Sequence, residues 1–83
     1  MAKKIRKKVY EYTAIFEPAE EGGYVVYVPA LPGCVTQGEN FEEAFQMIQD
    51  AIAGYLAVLK ETKGEIPKEK PGAIIARVPA VLR

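Results

Sequence analysis

The chain has 83 residues, balances 11 basic against 11 acidic side chains, and is 49% apolar, which fits one small globular domain and excludes a disordered chain. No apolar run approaches the roughly 18–20 residues of a membrane span, and the basic start MAKKIRKKVYEY lacks the apolar region of a secretory signal. A single cysteine permits no internal disulfide, and the absence of histidine removes the commonest general base and metal ligand together. These features point to a cytoplasmic protein.

Charge is unevenly placed. Lys3, Lys4, Arg6, Lys7 and Lys8 crowd a tail over residues 1–8, leaving six basic against eleven acidic residues in a domain over 9–83, a net of −5. The tail reads as a solvated extension, a short basic arm touching nucleic acid, or an appended tag. An acidic body favours a basic protein partner over nucleic acid.

VYEYTAIFE (9–17) is rich in β-branched and aromatic residues, with Tyr10, Tyr12, Ala14 and Phe16 on one face, and predicts a strand. PAEEGG supplies turn chemistry. YVVYV (24–28) predicts a second strand, paired with the first as a hairpin and apolar on both faces. Such a strand is covered on both sides, or half of it is buried against another subunit. PALPG then breaks regular structure, because Pro29 and Pro32 lack backbone donors. CVTQG predicts a short third strand at or near an edge.

The helix is the clearest element. Asn40 suits an N-cap, Glu43 falls at the N3 position of a capping box, and Glu42 and Glu43 sit where the helix dipole favours negative charge. Phe41, Ala44, Phe45, Ile48, Ala51, Ile52, Tyr55, Leu56 and Leu59 follow helical spacing to about residue 62, a length of roughly 33 Å. Gly64 is placed as the C′ glycine. Met47, Ala51, Gly54 and Val58 form a second stripe, either the edge of the core face or a helix contact between subunits. After a polar connection in which Ile66 is a buried anchor, AIIARVP (73–79) predicts a last strand. The expected class is α+β, with one long helix on a small antiparallel sheet, in the order β-β-β-α-β.

Catalytic chemistry has little to work with. No Ser-His or Cys-His pair is possible, and Cys34 has apolar neighbours, which suits a packed thiol better than a nucleophile. Glu42 and Glu43 diverge by about 100° on a helix, and Glu20-Glu21 is too sparse for a metal. No phosphate-binding glycine pattern occurs. No cofactor is expected. A metal-dependent nuclease built on Glu11 and Glu17 ranks last. What remains is surface: Tyr24, Val25, Tyr27, Pro29, Leu31, Pro32 and Val35 are the candidate contacts for a partner or for homo-oligomerisation, as a dimer or tetramer.

The stretch GGYVVYVPALPGCVTQGENFEEAF, followed by AIAGYL within the helix, resembles the HicB-type antitoxin domain. The resemblance covers about residues 10–67 and implies a partially degraded ribonuclease H-like fold without its activity. It also implies a binding role: HicB proteins neutralise HicA toxins, which are small basic ribonucleases. Many carry a further C-terminal DNA-binding segment, which is not expected here, so the resemblance implies a stand-alone member. The function expected is that of a non-catalytic antitoxin that sequesters a HicA-like toxin. The alternative is a nucleic-acid-binding module acting through Lys3, Lys4, Arg6, Lys7 and Lys8.

Overall fold

A computed structural model describes residues 10–83. The basic tail residues Lys3, Lys4, Arg6, Lys7 and Lys8 lie outside the described residues. Three short strands, β1 (Ile15–Pro18), β2 (Tyr24–Tyr27) and β3 (Val35–Gly38), form an antiparallel sheet in the order β1-β2-β3. One helix, α1 (Phe41–Glu61), follows them. This is the α+β class expected, with the long helix packed on the sheet.

The β1–β2 turn places Gly22 and Gly23 at φ 101° and 75°, a region open to glycine. Phe16, Val26 and Thr36 share one cross-strand row and face the helix. The core consists of Val26, Val28, Leu31, Cys34, Ala44 and Ile48, flanked by Tyr12, Ala14, Phe16, Tyr24, Ile52, Tyr55 and Leu56. The sequence face of Tyr12, Ala14 and Phe16 is therefore the core-facing one.

PALPG is two turns in series. Leu31 N–H donates to the Val28 carbonyl at 3.0 Å and Cys34 N–H to the Leu31 carbonyl at 2.9 Å, with Pro29 and Pro32 second in each turn. Gly33, at φ 84°, takes the third position that a type II turn reserves for glycine. Val28 N–H then donates to the Cys34 carbonyl at 3.1 Å, so the β2–β3 ladder closes above the turns. Tyr55 Oη donates to the Pro32 carbonyl at 2.9 Å and ties the helix to the second turn.

The helix opens as its sequence dictates. Glu43 N–H donates to Asn40 Oδ1 at 2.8 Å, and the Glu43 carboxylate accepts from Glu39 N–H at 2.9 Å. Its far end differs from expectation. Lys63, not Gly64, takes the left-handed conformation, at φ 57°. Lys63 N–H donates to the Lys60 carbonyl and Gly64 N–H to the Leu59 carbonyl, the paired bonds of a Schellman motif. Gly64 falls one position later, where a Cβ would meet Leu59 Cδ2 at 3.0 Å.

Two further expectations change. The first strand is shorter than residues 9–17, and residues 10–14 are held instead by the connection after the helix. Thr13 donates through its N–H and its hydroxyl to the two oxygens of Glu69, at 2.7 and 2.8 Å, while Tyr12 Oη donates to the Pro67 carbonyl. Residues 73–79 form no strand: they have no regular structure, and every residue from 71 to 83 is exposed. A turn closed by Ala73 N–H on the Lys70 carbonyl, with Gly72 at φ 85°, precedes them.

Two substitutions test this framework in opposite directions. A Cβ on Gly38 would lie 2.3 Å from the Ala44 nitrogen, so Gly38→Ala lowers unfolding stability by about 2 kcal/mol or more. Lys63→Gly relieves a left-handed lysine and raises stability by about 0.5–1 kcal/mol in urea unfolding. A neutral Gly38→Ala would refute the close approach.

Candidate interaction surface

The strand register sorts the candidate residues onto separate surfaces. Ile15, Tyr27 and Val35 form one cross-strand row, and Glu17, Val25 and Gln37 the next. Both rows alternate with the core-facing row, so they lie on the sheet face turned away from α1. Val35 is 55% exposed, and Ile15, Val25 and Tyr27 are half-buried. The helix covers only one face of the central strand, so the two-sided apolar character of YVVYV is left open on the other.

Three of the seven candidates, Val25, Tyr27 and Val35, therefore share this outer face. Pro29 and Pro32 are exposed on the double turn at the sheet end. Tyr24 belongs to the opposite face, where its ring meets that of Phe41 edge-on at 6.4 Å. Leu31 is fully buried. The two proline-led turns direct it inward, so it supports the surface from within the core. Ile15 is the residue that sequence reasoning overlooks, although simple alternation places it with Glu17.

A second apolar surface lies on the helix side. Phe16 contacts Phe41 at 4.7 Å and stacks on Phe45 at 6.4 Å, yet Phe41 and Phe45 remain 46% and 50% exposed. Helical spacing assigns both to the core, and their exposure has a positional cause. The helix packs chiefly on β3 and then β2, so its first turns overhang the β1 flank, with nothing beyond it among the described residues. Of the second stripe, Ala51 packs against the core, while Met47, Gly54 and Val58 are exposed.

The sheet end nearest the helix start is acidic. A groove there is lined by Glu20, Glu21, Gly23, Gln37, Glu39 and Glu43, among others. Glu42 is exposed in the first helical turn. Glu43 is engaged in the cap, whereas Glu20, Glu21, Glu39 and Glu42 are exposed carboxylates. Among the described residues no group of three or more Cys, Asp or Glu side chains is placed to hold a metal ion. No described helix is long and apolar enough to cross a membrane. Cys34 is buried, and burial pushes its thiol above the ordinary range. Glu11 and Glu17 are both exposed and lie on different segments, Glu17 in β1 and Glu11 before it.

The architecture defines a small α+β domain with one helix on a three-stranded sheet and apolar surface open at two places. The family model for the HicB-like antitoxin of bacterial toxin-antitoxin systems matches residues 12–80. The chain belongs to that family. A UPF0150 protein of Thermoplasma acidophilum is 48% identical over 59 residues, covering 71% of this chain and 86% of the relative. A UPF0150 protein of Synechocystis is 43% identical over 63 residues, covering 76% and 80%. A protein named Antitoxin HicB 1, from Photorhabdus laumondii, is 39% identical over 64 residues, covering 77% of this chain but 41% of its own length.

The Cys34 assignment is open to direct measurement. The native thiol reacts with an aromatic disulfide reagent far more slowly than the urea-unfolded chain. Because burial raises the folded thiol's pKa from its ordinary 9.0, the linked stability is present below the unfolded value and lost as pH rises through the folded one. Stability of the parent therefore falls more between about pH 8 and about pH 10 than that of Cys34→Ala. A rapid native reaction would mark an accessible thiolate instead.

Proposed function

We propose that this chain is a non-catalytic, antitoxin-type binding protein that sequesters a small basic HicA-like ribonuclease in the cytoplasm, and that it acts as a homodimer or homotetramer. Membership of the HicB-like antitoxin family is the observation that carries the reading. The surface supports it. The carboxylates of Glu20, Glu21, Glu39 and Glu42 ring the sheet end beside the helix start. Fields from clustered carboxylates steer a cationic partner and fix its register. The outer-face residues Val25, Tyr27 and Val35, with Pro29 and Pro32 at the other end of the sheet, supply the apolar contact that charge alone does not.

In this role the buried thiol and the capping glutamate act structurally, and the partner contributes the chemistry that is masked. A second role, contact with nucleic acid through Lys3, Lys4, Arg6, Lys7 and Lys8, is separable by experiment. Deleting residues 1–8 abolishes salt-dependent nucleic-acid binding if the basic arm carries it, and leaves toxin binding in place.

Co-expression with a HicA-like toxin provides the main test. The chain is expected to restore growth and to co-purify with the toxin. The double charge reversal Glu20→Lys with Glu21→Lys weakens association by about tenfold and flattens its salt dependence. A toxin that neither binds nor is neutralised would sink the antitoxin reading, and binding untouched by the reversal would move the contact away from the acidic groove.

A further inference from the structure

The segment after residue 72 is apolar, extended and uncovered. Ile74, Ile75, Val78, Val81 and Leu82 are 87%, 63%, 83%, 88% and 98% exposed. A single exposed leucine is ordinary, but five large apolar side chains within nine residues are not. Their extended order gives two sides. Ile74, Ala76, Val78, Ala80 and Leu82 alternate onto one, and Ile75, Arg77, Pro79, Val81 and Arg83 onto the other, so the first is wholly apolar and the second mixed. Pro79 lacks a ladder donor, which suits an edge strand.

The arm also stands away from its own domain. A compact chain of this length has a radius of gyration of about 12 Å, whereas this one has 16.4 Å and a longest dimension of 66 Å. The 21-residue helix accounts for about 31 Å of that dimension. The turn at Lys70–Ala73 separates the arm from the connection that Thr13 and Tyr12 hold. The match to the family model runs to residue 80, so the arm is part of the family's domain and not a linker beyond it.

A receptor of matching character is present on the sheet: β1 is an edge strand, and the rings of Phe16, Phe41 and Phe45 form a partly exposed shelf beside it. A strand laid along β1 would lie under that shelf and cover it. We infer that residues 73–82 of one copy add as a fourth strand to the β1 edge of a second copy, seating Val78 against Phe16, Phe41 and Phe45, and that the exchange is reciprocal. Edge addition satisfies backbone groups that β1 otherwise leaves to water, and it buries the apolar side of the arm in the same step. The exchange uses one surface twice, so it closes as a two-fold dimer without leaving a free arm. The inference gives form to the homo-oligomer part of the reading above and does not depend on its toxin part, because nothing in its test contains a toxin.

The test compares the full chain with a chain truncated after Gly72, by light scattering at on the order of tens of micromolar. The full chain is expected at twice the monomer mass or a multiple of it, and the truncated chain at a lower state. A monomeric full chain overturns the inference, and so does a truncated chain that keeps the parent mass. Should truncation prevent folding, a second experiment stands in its place. Two differently tagged populations, Val78→Cys and Phe45→Cys, both carrying Cys34→Ala, are co-refolded and oxidised. A disulfide joining the two tags supports exchange. Absence of that product overturns it, as does a Val78→Cys/Phe45→Cys double variant that closes only within one chain, since the arm would then lie on its own sheet.

Discussion

The backbone contact between the end of β3 and the first turn of α1 sets the position of every surface in this domain. Gly38 ends the strand directly beneath Ala44, with room for no side chain between them. Gly23, on the neighbouring strand end, would place a Cβ 2.3 Å from the Gly38 carbonyl oxygen, so the sheet end is closed on both sides by backbone. The helix is thereby anchored over β3 and β2. It cannot also cover β1, because a single helix is about 10–12 Å wide with its side chains, whereas three strands span about 10 Å between their axes and more with their side chains. The exposed flank of Phe41 and Phe45 follows from where those two glycines seat the helix.

The stretch PALPG shows how a motif that looks chemical is accounted for by geometry. Its prolines set φ at the second position of two turns, its glycine supplies the positive φ that the second turn needs, and its leucine is the residue carried into the core. Leu31, Val26 and Val28 are the largest fully buried side chains. The loop is therefore part of the core, and the small sheet gains a closed end without a longer strand. For a domain with so few buried side chains, that closure is a large share of its internal packing.

Sequence pattern recovers what depends on neighbours in the chain. The Asn40–Glu43 cap, the helix bounds, the hairpin and the short third strand are all local, and each is where alternation, capping or turn chemistry puts it. What pattern misses depends on distance in space. Leu31 lies between two exposed prolines in the sequence, and only the direction of two successive turns shows that it faces inward. Phe41 and Phe45 have core spacing, but whether anything lies beneath them is decided by the lateral position of the helix. Lys63 takes the left-handed cap although Gly64 stands beside it, because the helix ends one residue earlier than the glycine would require. For residues 73–79 the alternation is legible and the pairing is not. A strand's period reports its two faces and says nothing of which chain supplies its neighbour.

That distinction also separates the two surfaces the domain offers. The acidic groove lies at the sheet end beside the helix start, with Glu20, Glu21 and Glu39, and the outer sheet face carries Val25, Tyr27 and Val35. The aromatic shelf lies on the helix side of β1, built from Phe16, Phe41 and Phe45. Charge marks the first, since carboxylates there disfavour a second acidic copy and favour a basic partner. The second is apolar, and an exposed apolar segment that could cover it belongs to the chain itself. Self-association through the shelf, as inferred, and capture of a cationic protein through the groove, as proposed, would use different residues. A dimer formed by exchanged arms would present two acidic grooves at once, and two sites on one rigid assembly hold a paired target more tightly than either alone.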